Sequence, residues 1–311
     1  MQIIRTSAIT SPIEAQNCLS PYWRAELKDG LFNQGMSFNI VGLGEILWDI
    51  LASGKQMGGA PANFAFHAQA LGAEILQRLQ TLRLSTTDIQ IDPSAPTGTV
   101  SIDLSWDGQP RFTIHENVAW DRLALEKSAL AAVAEADAVA FGTLGQRREP
   151  ARSTIQALLA GVRSAALRIL DLNLRQHYFS KEVIRTSLRL SNIVKFNDTE
   201  LLVLADLLGL RGSVREQVEQ LSRQHSQRLV CLTRGAKGSL LYSKGQWADD
   251  PGQPVVVKDT VGAGDAFTAA LALGVLAGKP LEAINRKANQ VARYVCSQEG
   301  ATPALAEFPD A

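Results

Sequence analysis

The sequence is short of cysteine, of net charge and of long apolar runs, and each shortage excludes a class of protein. Only 3 of its 311 residues are cysteine, namely Cys18, Cys231 and Cys296, far apart and without a CxxC spacing. They build neither a disulfide scaffold nor a thiolate metal knuckle, and a reducing, cytoplasmic setting is expected. Lysine plus arginine and aspartate plus glutamate balance at 31 each, which leaves no basic field to hold a nucleic acid. Charges or turn residues interrupt every apolar stretch before it reaches the roughly 18 residues that span a bilayer. No basic, apolar and small-residue succession at the N-terminus signals secretion. The 4 histidines have no ligand spacing, and no GxxxxGK[ST], HExxH or GxSxG string occurs, which removes the P-loop, zincin and serine-elbow chemistries. Aromatics at 6% against 46% hydrophobic residues fit an alanine- and leucine-rich α/β enzyme with a small-molecule partner.

What is present is an alternation of short β-rich runs and longer helical ones from Phe38 onward, the habit of a mostly parallel sheet with helices on both faces. Strands are expected at 38–43, 138–141, 168–172, 192–196, 229–233, 239–243 and 255–258. Helices are expected at 61–71, 124–135, 150–163, 180–190, 198–208, 213–225, 263–277 and 281–298. Residues 1–37 read as a polar, irregular leader whose removal should cost little, and 38–311 as one domain. Within 97–116, period-two character on both sides of Asp107-Gly108 predicts a hairpin that projects as a small β-lid. Gly42-Leu43-Gly44 lacks the third glycine and the following helix of a dinucleotide site.

The string Asp259-Thr260-Val261-Gly262-Ala263-Gly264-Asp265-Ala266-Phe267 is a small-residue turn running into an apolar helix. Amide groups at a helix start, with almost no side chains in the way, make a cradle for a phosphoryl oxygen. Asp265 in that first turn could take the proton of an attacking hydroxyl while Gly262, Ala263 and Gly264 hold the developing charge. Gly-x-Gly-Asp alone is also a plain glycine turn followed by a helix.

The whole string resembles the C-terminal signature of the ribokinase-like (PfkB-type) carbohydrate kinases, and Gly58-Gly59-Ala60-Pro61-Ala62-Asn63-Phe64-Ala65 resembles their N-terminal motif. The resemblance implies that Gly58, Gly59 and Asn63 hold sugar hydroxyls, where a capping role is the plain alternative for Asn63. Gly44-Glu45-Ile46-Leu47-Trp48-Asp49 looks like the family's first strand with its sugar-binding aspartate, Asp49. Asp171-Leu172-Asn173-Leu174-Arg175 looks like the DxNxR segment of the fructokinase and ketodeoxygluconate kinase branches, in which Arg175 faces substrate or phosphate unless it forms a structural salt bridge. Asn197 and Glu200 resemble N-x-x-E, which implies Mg²⁺ and phosphates positioned through water at Glu200. The same spacing is also a capping box. Thr233, Gly235 and Gly238 resemble the T-x-G-x-x-G turn at the nucleotide, or a plain turn between strands. Asn289 matches a nucleotide-side asparagine, or is the polar neighbour of an apolar helix stripe. Asp259, Val261 and Gly300 resemble a potassium loop.

Over residues 38 to about 305 the resemblance therefore implies a ribokinase-like fold with a β-lid that often carries a homodimer contact. The reaction implied is transfer of the ATP γ-phosphoryl group to a sugar hydroxyl with Mg²⁺ and possible K⁺. Gly58 to Asn63, Asp171 to Arg175 and the lid segment Arg111 to Asp121 look most like those of bacterial fructokinase-type members, so fructose or a related ketose is expected. Ala60 replaces a lysine common in ribokinases. Ketodeoxygluconate, ribose, a nucleoside, or a binding protein without turnover are the alternatives. One departure stands out. Glu74 to Gln80 follows Leu71-Gly72-Ala73 at once, where the family has a strand and loop of roughly fifteen residues.

Overall fold

The computed structural model describes residues 2–7, 39–45, 47–51, 54–58, 88–90, 92, 94–104 and 110–303. The expected helices at 61–71 and after Ala73, together with Gly59, Asn63 and the Asp107-Gly108 turn, lie outside them. Eight described strands form one sheet in the order β1 (Gln2–Ser7), β2 (Asn39–Gly44), β7 (Ala138–Phe141), β8 (Leu167–Asp171), β9 (Ile193–Asn197), β10 (Leu229–Thr233), β11 (Ser239–Ser243) and β12 (Gln246–Asp250). From β2 to β10 neighbours run parallel, and β1, β11 and β12 are antiparallel to their neighbours.

Alternation along these strands decides which helix covers which face. Val139, Phe141, Leu170, Val194, Phe196, Val230 and Leu232 point into a core shared with α1 (Lys127–Glu135), α2 (Ala151–Ala160), α3 (Lys181–Leu190), α4 (Asp198–Leu208) and α5 (Val214–Gln224). Ala138, Ala140, Leu167, Ile169, Ile193, Leu229 and Cys231 point the other way, onto α6 (Ala263–Leu276) and α7 (Leu281–Cys296). Strands buried on both faces need runs of apolar residues, which is why they were legible as runs.

Three expectations are corrected. The leader is not irregular throughout, because β1 pairs with β2 from Gln2↔Gly44 to Ser7↔Asn39. No strand forms at 255–258; Gln246–Asp250 pairs with β11 instead. Lys244 and Gly245, with φ of 48° and 84°, close that hairpin, and two left-handed residues match the twist of the flanking strands. Asp49 does not continue the first strand of the large sheet. It sits on β3 (Leu47–Leu51), which belongs to a separate four-stranded sheet in the order β4 (Gly54–Gly58), β3, β5 (Gly98–Leu104), β6 (Pro110–Ile114). The expected lid hairpin is β5 and β6, enlarged by two strands from the start of the domain.

Arg147 ties this second sheet to the body. Its side chain is 1% exposed against 5% for Asp121. It donates to both Asp121 carboxylate oxygens at 2.7 Å and to the His115 carbonyl at 2.8 Å, just past β6. Its guanidinium carbon stands 3.9 Å from the Trp120 ring centroid.

Candidate active site

The C-terminal ends of β8, β9 and β10 face the first turn of α6, and ligands gather at such strand ends in open α/β sheets. Asp265 is half-buried in that turn, and Gly262 caps it with φ 77°. A Cβ on Gly262 would run into the Ala301 backbone, so glycine is required there for space and for conformation alike. The amides of a helix's first turn lack intrahelical acceptors, the general ground on which an anion is held at a helix start. Ala263 N–H points at the Thr260 carbonyl, 3.4 Å away.

Behind this turn Asp171, the first residue of the DxNxR segment, joins Lys195 and Thr268 in a polar cluster that no single segment of the sequence shows. Asp171 and Lys195 are register partners on β8 and β9, and their parity with Ile169 and Ile193 aims both at α6. Lys195 Nζ is 2.5 Å from Asp171 Oδ2, and Thr268 Oγ1, one turn beyond Asp265, is 3.1 Å from the same oxygen. Burial by itself would push the Lys195 pKa down. The carboxylate of Asp171, hydrogen-bonded to it, and the charge of Asp265 outweigh that and hold it above the ordinary lysine range. The available signal was a lysine at a buried position of the otherwise apolar run Ile193-Val194-Lys195-Phe196.

Glu200 is buried and uses both oxygens. Oε1 accepts from Leu174 N–H at 2.7 Å and Oε2 from Asn197 N–H at 2.9 Å, while Asn197 Oδ1 accepts from Glu200 N–H at 2.8 Å. The capping box is therefore present, and it also fastens the Asp171–Arg175 segment to α4. Burial raises the Glu200 pKa against the pull of these amides. Arg175 is exposed and has no ion pair with a described residue. Asn173 and Gln176, with φ of 42° and 48°, bend this loop.

On the far side, Thr233, Gly235 and Gly238 form the turn between β10 and β11. A Cβ on Gly238 would meet Asp250 and Gly252 backbone. Asn289 Nδ2 donates to Ser239 Oγ at 2.7 Å, which brings α7 to that turn. Asp259 Oδ1 accepts from Val261 N–H at 3.0 Å and Oδ2 from Gly300 N–H at 3.1 Å, so Gly300 meets the Asp259–Val261 turn although it is distant in sequence. Of the residues expected to bind sugar, Gly58 ends β4 opposite Leu47, and Asp49 stands between Gln56 and Val100. No group of three or more histidine, cysteine, aspartate or glutamate side chains able to hold a metal occurs among the described residues.

Residues 52–307 match the profile of the pfkB family of carbohydrate kinases. An uncharacterized sugar kinase from Pyrococcus horikoshii is 29% identical, with 84% of this chain and 91% of that protein aligned. A fructokinase from Rhizobium leguminosarum bv. trifolii is 30% identical over 77% of this chain and 72% of its own. The crystal structure of the Pyrococcus protein in complex with ATP superposes with a TM-score of 0.71 at 28% identity, over 84% of this chain and 94% of that one.

Proposed function

The chain belongs to the pfkB family of carbohydrate kinases, and from that premise we propose that it transfers the γ-phosphoryl group of ATP to a hydroxyl of fructose or a related ketose. The observation that carries this reading is Asp265, set in the first turn of α6 behind left-handed Gly262, with the strand-end carboxylate of Asp171 bonded to Thr268 of the same helix. In this reading Asp265 accepts the hydroxyl proton, and the Gly262, Ala263 and Gly264 backbone faces the charge on the transferred group. Asp49, Gly58, Gly59, Asn63 and Arg175 bind the sugar. Asn197, Thr233, Gly235, Gly238 and Asn289 face the nucleotide. Mg²⁺, bound through water at Glu200, supplies charge neutralisation for the phosphates. Backbone oxygens around Asp259, Val261 and Gly300 take K⁺.

Support for the ketose comes from relatives named fructokinase in Klebsiella pneumoniae and Rhizobium. A homodimer through the four-stranded sheet and a cytoplasmic location complete the proposal, and no described helix is long and apolar enough to cross a membrane. ADP release measured over fructose, ribose, ketodeoxygluconate and nucleosides tests it. The expected result is turnover highest with fructose. Turnover highest with another compound reassigns the substrate, and binding without ADP release with any of them makes the protein a non-catalytic relative.

A further inference from the structure

Lys195 is a buried ammonium that the reaction outlined above does not use. It is 7% exposed, and carboxylates of three other elements surround it. Asp171 of β8 bonds it directly, and Asp265 of α6 and Glu200 of α4 interact with it through charge. Cys231 of β10 is its register partner on the other side, with the thiol pushed far up by burial. A Cβ built on Gly264 would stand 3.2 Å from Nζ, its nearest neighbour there. The ammonium thus fills the space beside Gly264 that a side chain would enter, next to the turn that precedes Asp265. Thr268 closes the arrangement, with Oγ1 2.9 Å from the Gly264 carbonyl as well as within reach of Asp171.

We propose that Lys195 is the positioning residue of the catalytic turn: an ammonium locked by Asp171 on which the Gly264–Asp265 backbone rests. Two consequences follow from the geometry. Gly264 is glycine because a side chain would press on Nζ, in addition to leaving room for an anion. The position of Asp265 relative to β8 and β9 is set by one charge rather than by packing of α6 alone, since the turn itself is only half-buried.

This inference rests on Asp265 as the proton acceptor, and the experiment separates the two. Lys195→Met alone would strand the Asp171 charge, and loss of one partner of a buried pair is strongly destabilising. The informative protein is therefore Lys195→Met combined with Asp171→Asn, a neutral pair of similar volume that can keep the Thr268 hydrogen bond. Its melting temperature, kcat, and KM for ATP and for fructose are measured beside the wild type and Asp265→Asn. The expected result is a melting temperature near that of the wild type, kcat lowered by about 10²-fold as for a misplaced reacting group, and both KM values little changed. Wild-type kcat in the double variant overturns the proposal. So does a fall of melting temperature and kcat together with a rise of both KM values, which describes a residue that merely holds the fold. Wild-type turnover by Asp265→Asn sinks the assignment of the base instead.

Discussion

Among single residues, the sharpest expectation concerns Asp265. Its side chain occupies a half-buried position in the first turn of α6, so exchange for asparagine alters charge and basicity with little change of volume. Asp265→Asn should keep the melting temperature and lower kcat by roughly two to four orders of magnitude, the usual share of a positioned general base. A steady-state assay with fructose and ATP decides it. His225, which ends α5, gives a different expectation. Burial lowers its pKa, helped by Arg185 and Arg189, so the folded chain holds the imidazole neutral where the unfolded chain would bind a proton. The resulting stability is present above the ordinary histidine pKa of about 6.5 and is lost as pH falls through the folded value. Melting temperatures recorded from neutral pH downward should therefore decline more steeply in the wild type than in His225→Gln. Parallel curves would refute this.

The edge of the large sheet carries the clearest expectation for a single element. One side of β2 is taken by β7 and the other by β1, so removal of residues 1–35 uncovers a row of backbone groups worth about 0.5–1.5 kcal/mol per hydrogen bond. That deletion should lower the melting temperature by several degrees, against the small effect expected from sequence. An unchanged value would show that β1 contributes nothing to stability. The contrast also shows what was legible. Strands β7 to β11 were readable because two-sided burial writes itself as apolar runs, and α6 because its signature is contiguous. β1 was not readable, since Gln2-Ile3-Ile4-Arg5-Thr6-Ser7 is short, polar at both ends and meaningful only beside β2, more than thirty residues away. Pairing with β11 through a Lys-Gly turn likewise overrode the better β-former run Val255-Val256-Val257, of which Val256 is 84% exposed. Asp171 stood out as the first residue of the DxNxR segment, and Lys195 only as an odd polar residue in an apolar run. Their relation is a matter of register, which no single segment contains.

For the molecule as a whole, the site is assembled from segments that are remote in sequence and meet on one rim of the sheet. Asp259 joins the turn before α6 to Gly300 after α7, which makes the two helices and the turn one unit. A monovalent cation bound by backbone oxygens in that unit would order the cradle. Replacing K⁺ by a bulky organic cation should therefore reduce kcat, with little effect on the melting temperature of β1 to β10. Equal rates in the two salts would remove the potassium assignment.

The placement of β1 bears finally on how the chain comes to be made. A ribosome releases residues at about 5–20 per second, so β1 emerges seconds before β2 and waits as an unpaired polar strand. The β1–β2 ladder can then close as a wide hairpin, while β2's other neighbour, β7, appears only after a further stretch of nearly a hundred residues. During that interval β1 shields one of the two edges on which the nascent sheet could pair with a foreign strand. Chains synthesised without it should give more insoluble product at equal expression, a cost paid during birth rather than in the finished enzyme.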